Sequence, residues 1–102
     1  MQDRRTAPRF RTNITARWES LKTEGRGSVS DFSSTGCFVL SGGELVRGEL
    51  VRLEIKPGDE THMVWGYVVY YVPEIGFALR FAFVSDDEQR ELEELQRILI
   101  QE

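Results

Sequence analysis

Two short groups of residues carry the side chains of this sequence that are best suited to binding chemistry. Arg5 and Arg9 form an R-x-x-x-R pair, and further along the chain Asp31, Ser33 and Gly36 form a D-x-S-x-x-G run. A guanidinium binds phosphate through two hydrogen bonds and stacks on bases, while glycine permits positive φ or close approach by a ligand. Each group alone also fits an ordinary alternative, solvated tail charges for the arginines and an Asx or Ser/Thr turn for the second run. A function is therefore indicated only by the two groups together.

The segment that precedes the first regular pattern is polar and rich in arginine. Pro8 disfavours helical geometry in the residue before it, so residues 1–12 are predicted to form a flexible arm. After the arm, Ile14, Ala16 and Trp18 alternate with polar side chains, which is the period of a half-buried strand.

The middle of the chain repeats short apolar and β-branched runs between turn residues. A turn is predicted at residues 24–27, where two glycines lie close together. Six strands with short connections predict a closed barrel over residues 13–84. The runs that follow the first strand lie at residues 29–32, 37–40, 50–55, 63–72 and 76–84.

The last part of the chain changes to a helical period. Ser85 followed by Glu88 is a capping-box pattern, and a set of apolar residues then repeats at helical spacing. A helix is predicted over residues 85–101, covering a barrel opening, with its acidic side chains as a solvated outer face or, alternatively, a partner surface. The repeating apolar residues are Leu92, Leu95, Ile98 and Leu99.

In this order, the segments resemble the PilZ domain family. The resemblance rests on the arm RRTAPRFR, the strand NITARW, the run SVSDFSSTGCFVL and the later strands WGYVVYYV and GFALRF. It implies one domain over residues 1–102, mainly β: a six-stranded antiparallel PilZ-type barrel with a basic N-terminal arm and a C-terminal helix.

The resemblance also implies a ligand, the bacterial second messenger cyclic di-GMP. Guanine presents O6 and N7 as paired acceptors that a planar guanidinium can meet, and a carboxylate such as Asp31 can accept from N1–H and N2–H on the other edge. Ser33 is expected to bond the ligand or to fix the turn. The ligand-binding residues are predicted to be Arg4, Arg5, Arg9, Asp31, Ser33, Gly36 and Trp65.

Two members of that set have more specific interpretations. Arg4 precedes the arginine pair, and in the family an arginine there tends to accompany two intercalated ligand molecules. Trp65 could stack on guanine, as aromatics do in base-binding sites, but an aromatic in an alternating strand also fits the core. Gly66 beside it could mark a bulge or a close approach.

Composition and charge narrow the remaining function classes. The chain has 102 residues and a net charge of -4, with seven Arg or Lys against three Asp or Glu in residues 1–26. This asymmetry permits a local site for a small dianion but argues against long nucleic acid. No apolar run approaches the roughly 20 residues of a membrane span, and without a signal-peptide pattern at the N-terminus the cytoplasm is expected.

Residues that could support catalysis or bind a metal are few. Cys37 is expected to pack among apolar groups rather than react, and His62 is expected at a solvated strand end without metal ligands near it. No nucleophile–base pair or phosphate-cradling glycine loop is visible. We therefore expect no enzyme activity, no metal and no cofactor.

The sequence thus predicts a cyclic di-GMP receptor whose arm closes over the ligand and whose changed surface is read by a partner protein that the sequence does not identify. One alternative is a PilZ-like adaptor that does not bind the nucleotide. Another is a small barrel that binds single-stranded RNA or DNA, which the net negative charge disfavours.

Overall fold

The computed structural model describes residues 9–82 and 85–100, apart from the side chain of Ile100. Six strands are followed by one helix. The elements are β1 (Phe10–Glu19), β2 (Glu24–Phe32), β3 (Gly36–Leu40), β4 (Leu50–Ile55), β5 (His62–Val72), β6 (Gly76–Ala82) and α1 (Asp86–Ile100).

The strands form a closed antiparallel barrel in the order β1-β2-β3-β6-β5-β4, with β1 also paired to β4. Because the pairing of β1 with β4 closes the barrel, every strand has a paired neighbour on both sides. The side-chain alternation seen in the sequence appears in β1, where Ala16 and Trp18 are buried and their neighbours are exposed. The prediction of a mainly β, six-stranded barrel with a C-terminal helix is confirmed.

Trp18 is the largest side chain buried in the barrel core. Its ring meets Phe77 edge to face, with centroids 5.3 Å apart and an interplanar angle of 78°, a favourable geometry for aromatic pairs. The indole Nε1 donates a hydrogen bond to Ser41 Oγ at 2.9 Å. The one polar atom of the ring is therefore satisfied inside the core.

The turn predicted at residues 24–27 is wrong, because β2 already begins at Glu24. The chain reverses earlier, where Ser20 N–H donates to Thr23 O at 2.7 Å. A Cβ on Gly25 would lie 2.6 Å from Cζ2 of Trp18. This glycine therefore makes room for the indole and does not mark a turn.

Residues 10–12, which the sequence assigned to the flexible arm, belong to β1. Phe10 lies opposite Phe32, and Arg11 lies opposite Asp31 on β2. A register shift between Arg11 and Ile14 separates this pair of rungs from the rest of the ladder. The remainder of the arm, residues 1–8, lies outside the described residues.

The helix begins as its capping pattern predicted. Ser85 Oγ accepts a hydrogen bond from Glu88 N–H at 3.2 Å, which satisfies one of the free donors of the first turn. Leu92, Leu95 and Leu99 are buried and join the barrel core. Within the described part of the chain, no helix is long and apolar enough to cross a membrane.

His62 differs from the expectation that it would be solvated. It lies at the start of β5, as the sequence indicated, but it is only 5% exposed. Its Nδ1 lies 3.1 Å from Oε2 of Glu91 on α1, so the ring donates to this carboxylate. Helix α1 covers the histidine. This contact could not be read from the sequence, because His62 and Glu91 lie far apart along the chain.

Candidate functional site

The D-x-S-x-x-G run forms the tight turn between β2 and β3. Ser33 is 1% exposed, and its Oγ accepts hydrogen bonds from Thr35 N–H at 3.2 Å and Gly36 N–H at 3.3 Å. The main-chain N–H of Ser33 donates to Gly36 O at 2.9 Å. The sequence left two roles open for Ser33, bonding the ligand or fixing the turn. In the structure its hydroxyl fixes the turn.

Gly36 allows two strands to approach closely. It lies opposite Arg80 in the β3–β6 ladder, and a Cβ at this position would lie 2.2 Å from the carbonyl oxygen of Leu79. Its φ is not positive, since the only glycine with a positive φ among the described residues is Gly48. Close approach, by backbone in this case, is therefore the reason for glycine here.

Arg9, the member of the arginine pair that the structure describes, lies against the D-x-S-x-x-G run. Arg9 lies directly before β1, and its Nη2 donates to Asp31 Oδ1 at 3.0 Å. The two side chains are 51% and 32% exposed, so this ion pair is open to solvent and is worth about 0.2–1 kcal/mol. Arg4 and Arg5 lie outside the described residues.

A shallow groove of about 380 Å³ opens beside this ion pair. Its walls combine cationic, aromatic and main-chain groups from four segments of the chain. The lining residues are Arg9, Thr35, Gly36, Cys37, Val69, Tyr70, Ala78, Leu79 and Arg80. Such a groove offers donors for anionic oxygens and a ring for a flat ligand.

Arg80 and Tyr70 line the groove with side chains suited to ligand binding, and the sequence analysis missed both. Arg80 is the one exposed residue of β6 and directly follows its four buried residues, and a lone arginine in an apolar strand is a signal that could have identified it. Tyr70 is 51% exposed, and its ring packs on Phe38 with centroids 6.1 Å apart. A β-bulge between Val68 and Tyr70 turns this ring outward, and the sequence gives no direct sign of the bulge.

The structure does not bring Trp65 into this groove. Trp65 lies opposite Arg52 on β4 and Ala82 on β6, whereas the rung that holds Gly36 and Arg80 continues to Tyr67. The indole is half-buried on the outer face of β5 and lines two other grooves. It is absent from the buried core cluster.

Cys37 lies beneath the groove as a buried thiol. It is 2% exposed, and burial raises its pKa far above the usual range, with a further rise from the charge of Asp31 and a smaller lowering from Arg9. A thiol held in its neutral form is a poor nucleophile. Among the described residues, no group of three or more His, Cys, Asp or Glu could hold a metal ion.

The domain is therefore a small closed six-stranded barrel in which an arginine at the rim pairs with the aspartate of a D-x-S-x-x-G turn. The chain belongs to the PilZ domain family, whose family model matches residues 3–101. The match therefore covers both groups of residues and nearly all of the chain.

Solved PilZ domains share this fold at low sequence identity. The PilZ domain of CeSA from a cellulose-synthesising bacterium has a TM-score of 0.77 and 13% identity, covering 91% of this chain and 98% of that one. The PilZ domain of YcgR from Escherichia coli, solved with c-di-GMP, has a TM-score of 0.75 and 18% identity, covering 97% and 93%.

A larger protein contains a similar domain. MrkH from K. pneumonia, solved as a c-di-GMP complex, has a TM-score of 0.72 and 20% identity, covering 97% of this chain but 52% of that one. At these identities the likeness establishes the fold. No curated protein matches the sequence.

Proposed function

We propose that the groove beside Arg9 and Asp31 binds cyclic di-GMP and that the chain is a receptor without catalytic activity. The observation that carries the proposal is the ion pair that holds an exposed arginine against the D-x-S-x-x-G turn at the edge of the groove. Membership of the PilZ family supports it, as do the similar PilZ domains of YcgR and MrkH, which were solved with c-di-GMP.

The ion pair combines the two kinds of group that guanine requires. The guanidinium of Arg9 can donate to O6 and N7, and the carboxylate of Asp31 can accept from N1–H and N2–H. Because both side chains are exposed, replacing their mutual contact by contacts to ligand costs little. The pair therefore keeps both groups oriented in the free protein and leaves them available.

The opposite wall of the groove supplies the remaining contacts. Arg80 offers a second guanidinium for a phosphate, and bidentate pairing of arginine with phosphate is among the stronger hydrogen-bonded contacts. Tyr70 offers an exposed ring on which a guanine can stack, worth about 1–3 kcal/mol per base. Trp65 is not part of the proposed site, since its side chain lines other grooves.

The other predicted residues take supporting roles in this proposal. Ser33 and Gly36 shape the turn that presents Asp31. Arg5 would reach the ligand from the arm, and Arg4 would contact a second ligand molecule if two bind.

In this proposal, closure of the arm over the ligand relays the signal. Ordering a charged segment over the ligand costs conformational entropy, which salt bridges and stacking must offset. The closed arm would create a surface for a partner protein in the cytoplasm, where we place the domain.

Calorimetric titration with cyclic di-GMP tests the proposal, with GTP and cyclic di-AMP as ligand controls. Arg9→Ala should weaken binding about 5- to 150-fold, since a bidentate contact to guanine is worth about 1–3 kcal/mol. Arg47→Ala, which removes an exposed arginine from the loop before β4, should bind like the wild type. Absence of binding by the wild type, or equal affinity in Arg9→Ala, would reject this site.

A further inference from the structure

The turn between β2 and β3 meets the candidate groove on one side and helix α1 on the other. Thr35 and Gly36 line the groove, and the carboxylate of Asp31 belongs to the ion pair at its edge. On the other side, the main-chain carbonyl of Ser34 accepts a hydrogen bond from the side-chain amide of Gln96, with Nε2 and O 2.8 Å apart. One short turn therefore contacts both the proposed ligand site and the helix.

Three successive carbonyls of this turn are held by donors from three different places. The carbonyl of Ser34 is held by α1. That of Thr35 accepts from the main-chain N–H of Phe81 in β6 at 2.8 Å. That of Gly36 accepts from the main-chain N–H of Ser33, within the turn, at 2.9 Å. The bond to Ser34 is the contact between turn and helix that one side-chain substitution can remove.

The donor on α1 has a fixed position because the helix beside it is anchored. Leu95 is fully buried, Leu99 is 8% exposed, and both belong to the barrel core. Gln96 follows Leu95 directly and is half-buried, whereas Ser34 is exposed. Without the helix amide, water can satisfy the carbonyl of Ser34, but it cannot hold that carbonyl in one place.

We propose that Gln96 is a positioning residue for the ligand groove, and that ligand binding and the docking of α1 are coupled through Ser34. The inference rests on the proposed function, because the groove must bind cyclic di-GMP for its geometry to matter. A ligand that contacts Thr35 and pairs with Asp31 needs the turn in one conformation. The helix amide holds that conformation in the free protein, so less ordering remains to be done at binding.

The coupling acts in both directions. Attachment of the helix raises ligand affinity by a certain factor, and ligand binding must strengthen attachment of the helix by the same factor. That factor is limited by the net contribution of one hydrogen bond, which corresponds to about a two- to twelvefold change in affinity. Within the described part of α1, no residue lines the groove. The helix thus responds to an occupied groove without touching the ligand.

Calorimetric titration with cyclic di-GMP tests the role of Gln96. Gln96→Met removes the donor but keeps the length of the side chain and a similar helix propensity, and it should weaken binding about two- to twelvefold. Gln89→Met is the matched control on the same helix. The Gln89 amide donates to Glu93 of α1 and does not line the groove, so this variant should bind like the wild type.

A second control separates the position of the turn from the stability of the fold. Ser41→Ala removes the hydrogen bond from the indole of Trp18 to Ser41 Oγ, at 2.9 Å, and Ser41 does not line the groove. This variant should have a lower Tm, because a buried donor loses its partner. Its affinity for cyclic di-GMP should equal that of the wild type.

Hydrogen exchange in the ligand-free protein gives a readout that a general loss of stability would not produce. The main-chain amides of Thr35 and Gly36 donate to Ser33 Oγ in the turn. In Gln96→Met their exchange should become faster relative to that of Leu53 in β4, because the turn opens locally more often. In the stability control, the ratio of these rates should stay as in the wild type.

Weaker binding in Gln96→Met alone, together with faster exchange in the turn, would support the inference. Wild-type affinity in Gln96→Met would overturn it while leaving the receptor function in place. Unchanged exchange of the two turn amides would overturn it as well, as would equal losses of affinity in Gln96→Met and Ser41→Ala. Absence of binding by the wild type would reject the receptor function itself, and the inference that rests on it.

Discussion

The side-chain amide of Gln96 on α1 donates a hydrogen bond to the main-chain carbonyl of Ser34, with Nε2 and O 2.8 Å apart. Ser34 lies in the turn that carries Asp31 and Gly36. The helix is therefore attached directly to the turn that shapes the candidate site, in addition to its contact with β5 through His62.

Replacing Gln96 by alanine should lower the free energy of unfolding by about 0.5–1.5 kcal/mol, the usual net value of one hydrogen bond. Alanine also favours helix slightly, so Gln89→Ala is the appropriate reference. Gln89 lies on the same helix, and its side-chain amide donates to Glu93 of that helix at 3.4 Å. Urea unfolding of both variants measures the difference, and equal stabilities would show that the bond to Ser34 contributes nothing.

Gly36→Ala should destabilise the barrel by about 1–3 kcal/mol, the typical cost of overpacking, because its Cβ would lie 2.2 Å from the Leu79 carbonyl oxygen. Gly42→Ala is the control, since nothing lies within 4 Å of a Cβ there and alanine restricts the unfolded chain. Thermal unfolding should show a lower Tm for the first variant only. Equal Tm values for Gly36→Ala and Gly42→Ala would mean that β3 and β6 can move apart enough to accommodate the Cβ without loss of stability.

The buried thiol of Cys37 should make stability fall at alkaline pH. In the unfolded chain the thiol loses its proton near the ordinary pKa of 9.0, whereas burial raises the folded pKa well above it. The unfolded state then binds fewer protons, so the free energy of unfolding declines with rising pH above about 9 and is unaffected below it. Between pH 8 and 10 the loss should be about 1.4 kcal/mol.

Cys37→Ala isolates this effect, because its cavity cost does not depend on pH. The difference in stability between wild type and variant should shrink or reverse as pH rises from 8 to 10 in urea titrations. A difference that stays constant would indicate that the thiol ionises equally in both states.

Tyr70→Ala should weaken cyclic di-GMP binding about 5- to 150-fold if a guanine stacks on this ring, as expected for 1–3 kcal/mol. Tyr67→Ala is matched in residue type and strand, and Tyr67 is 39% exposed but does not line the groove. Calorimetry should therefore find near-normal affinity for the second variant. Equal losses in both would place the ligand elsewhere on β5.

Local patterns in the sequence were enough to predict the element types. Alternation of apolar and polar residues predicted the half-buried strand around Trp18, and Ser85 with Glu88 predicted the start of the helix. These signals are readable because they depend on neighbours one to four residues apart. The D-x-S-x-x-G run likewise predicted a turn, whose hydrogen bonds are local.

Contacts between distant residues decided the rest. Gly25 looked like a turn residue until the position of the Trp18 ring was known, and His62 looked solvated until α1 covered it. Strict alternation would place Tyr70 inside with Val68, but the bulge in the β5–β6 ladder turns it outward. That single-residue shift places the ring on the groove, because side chains in a strand change faces at every residue.

The sequence by itself therefore determined the barrel and the helix, and it singled out Arg9 and the D-x-S-x-x-G run as candidate binding residues. Only the tertiary structure decided that Arg9 meets Asp31, that Arg80 and Tyr70 line the groove beside this ion pair, and that Trp65 lies outside that groove. Strand type follows from short-range periodicity, whereas these contacts follow from the register and closure of the barrel, which depend on the packing of all its strands together.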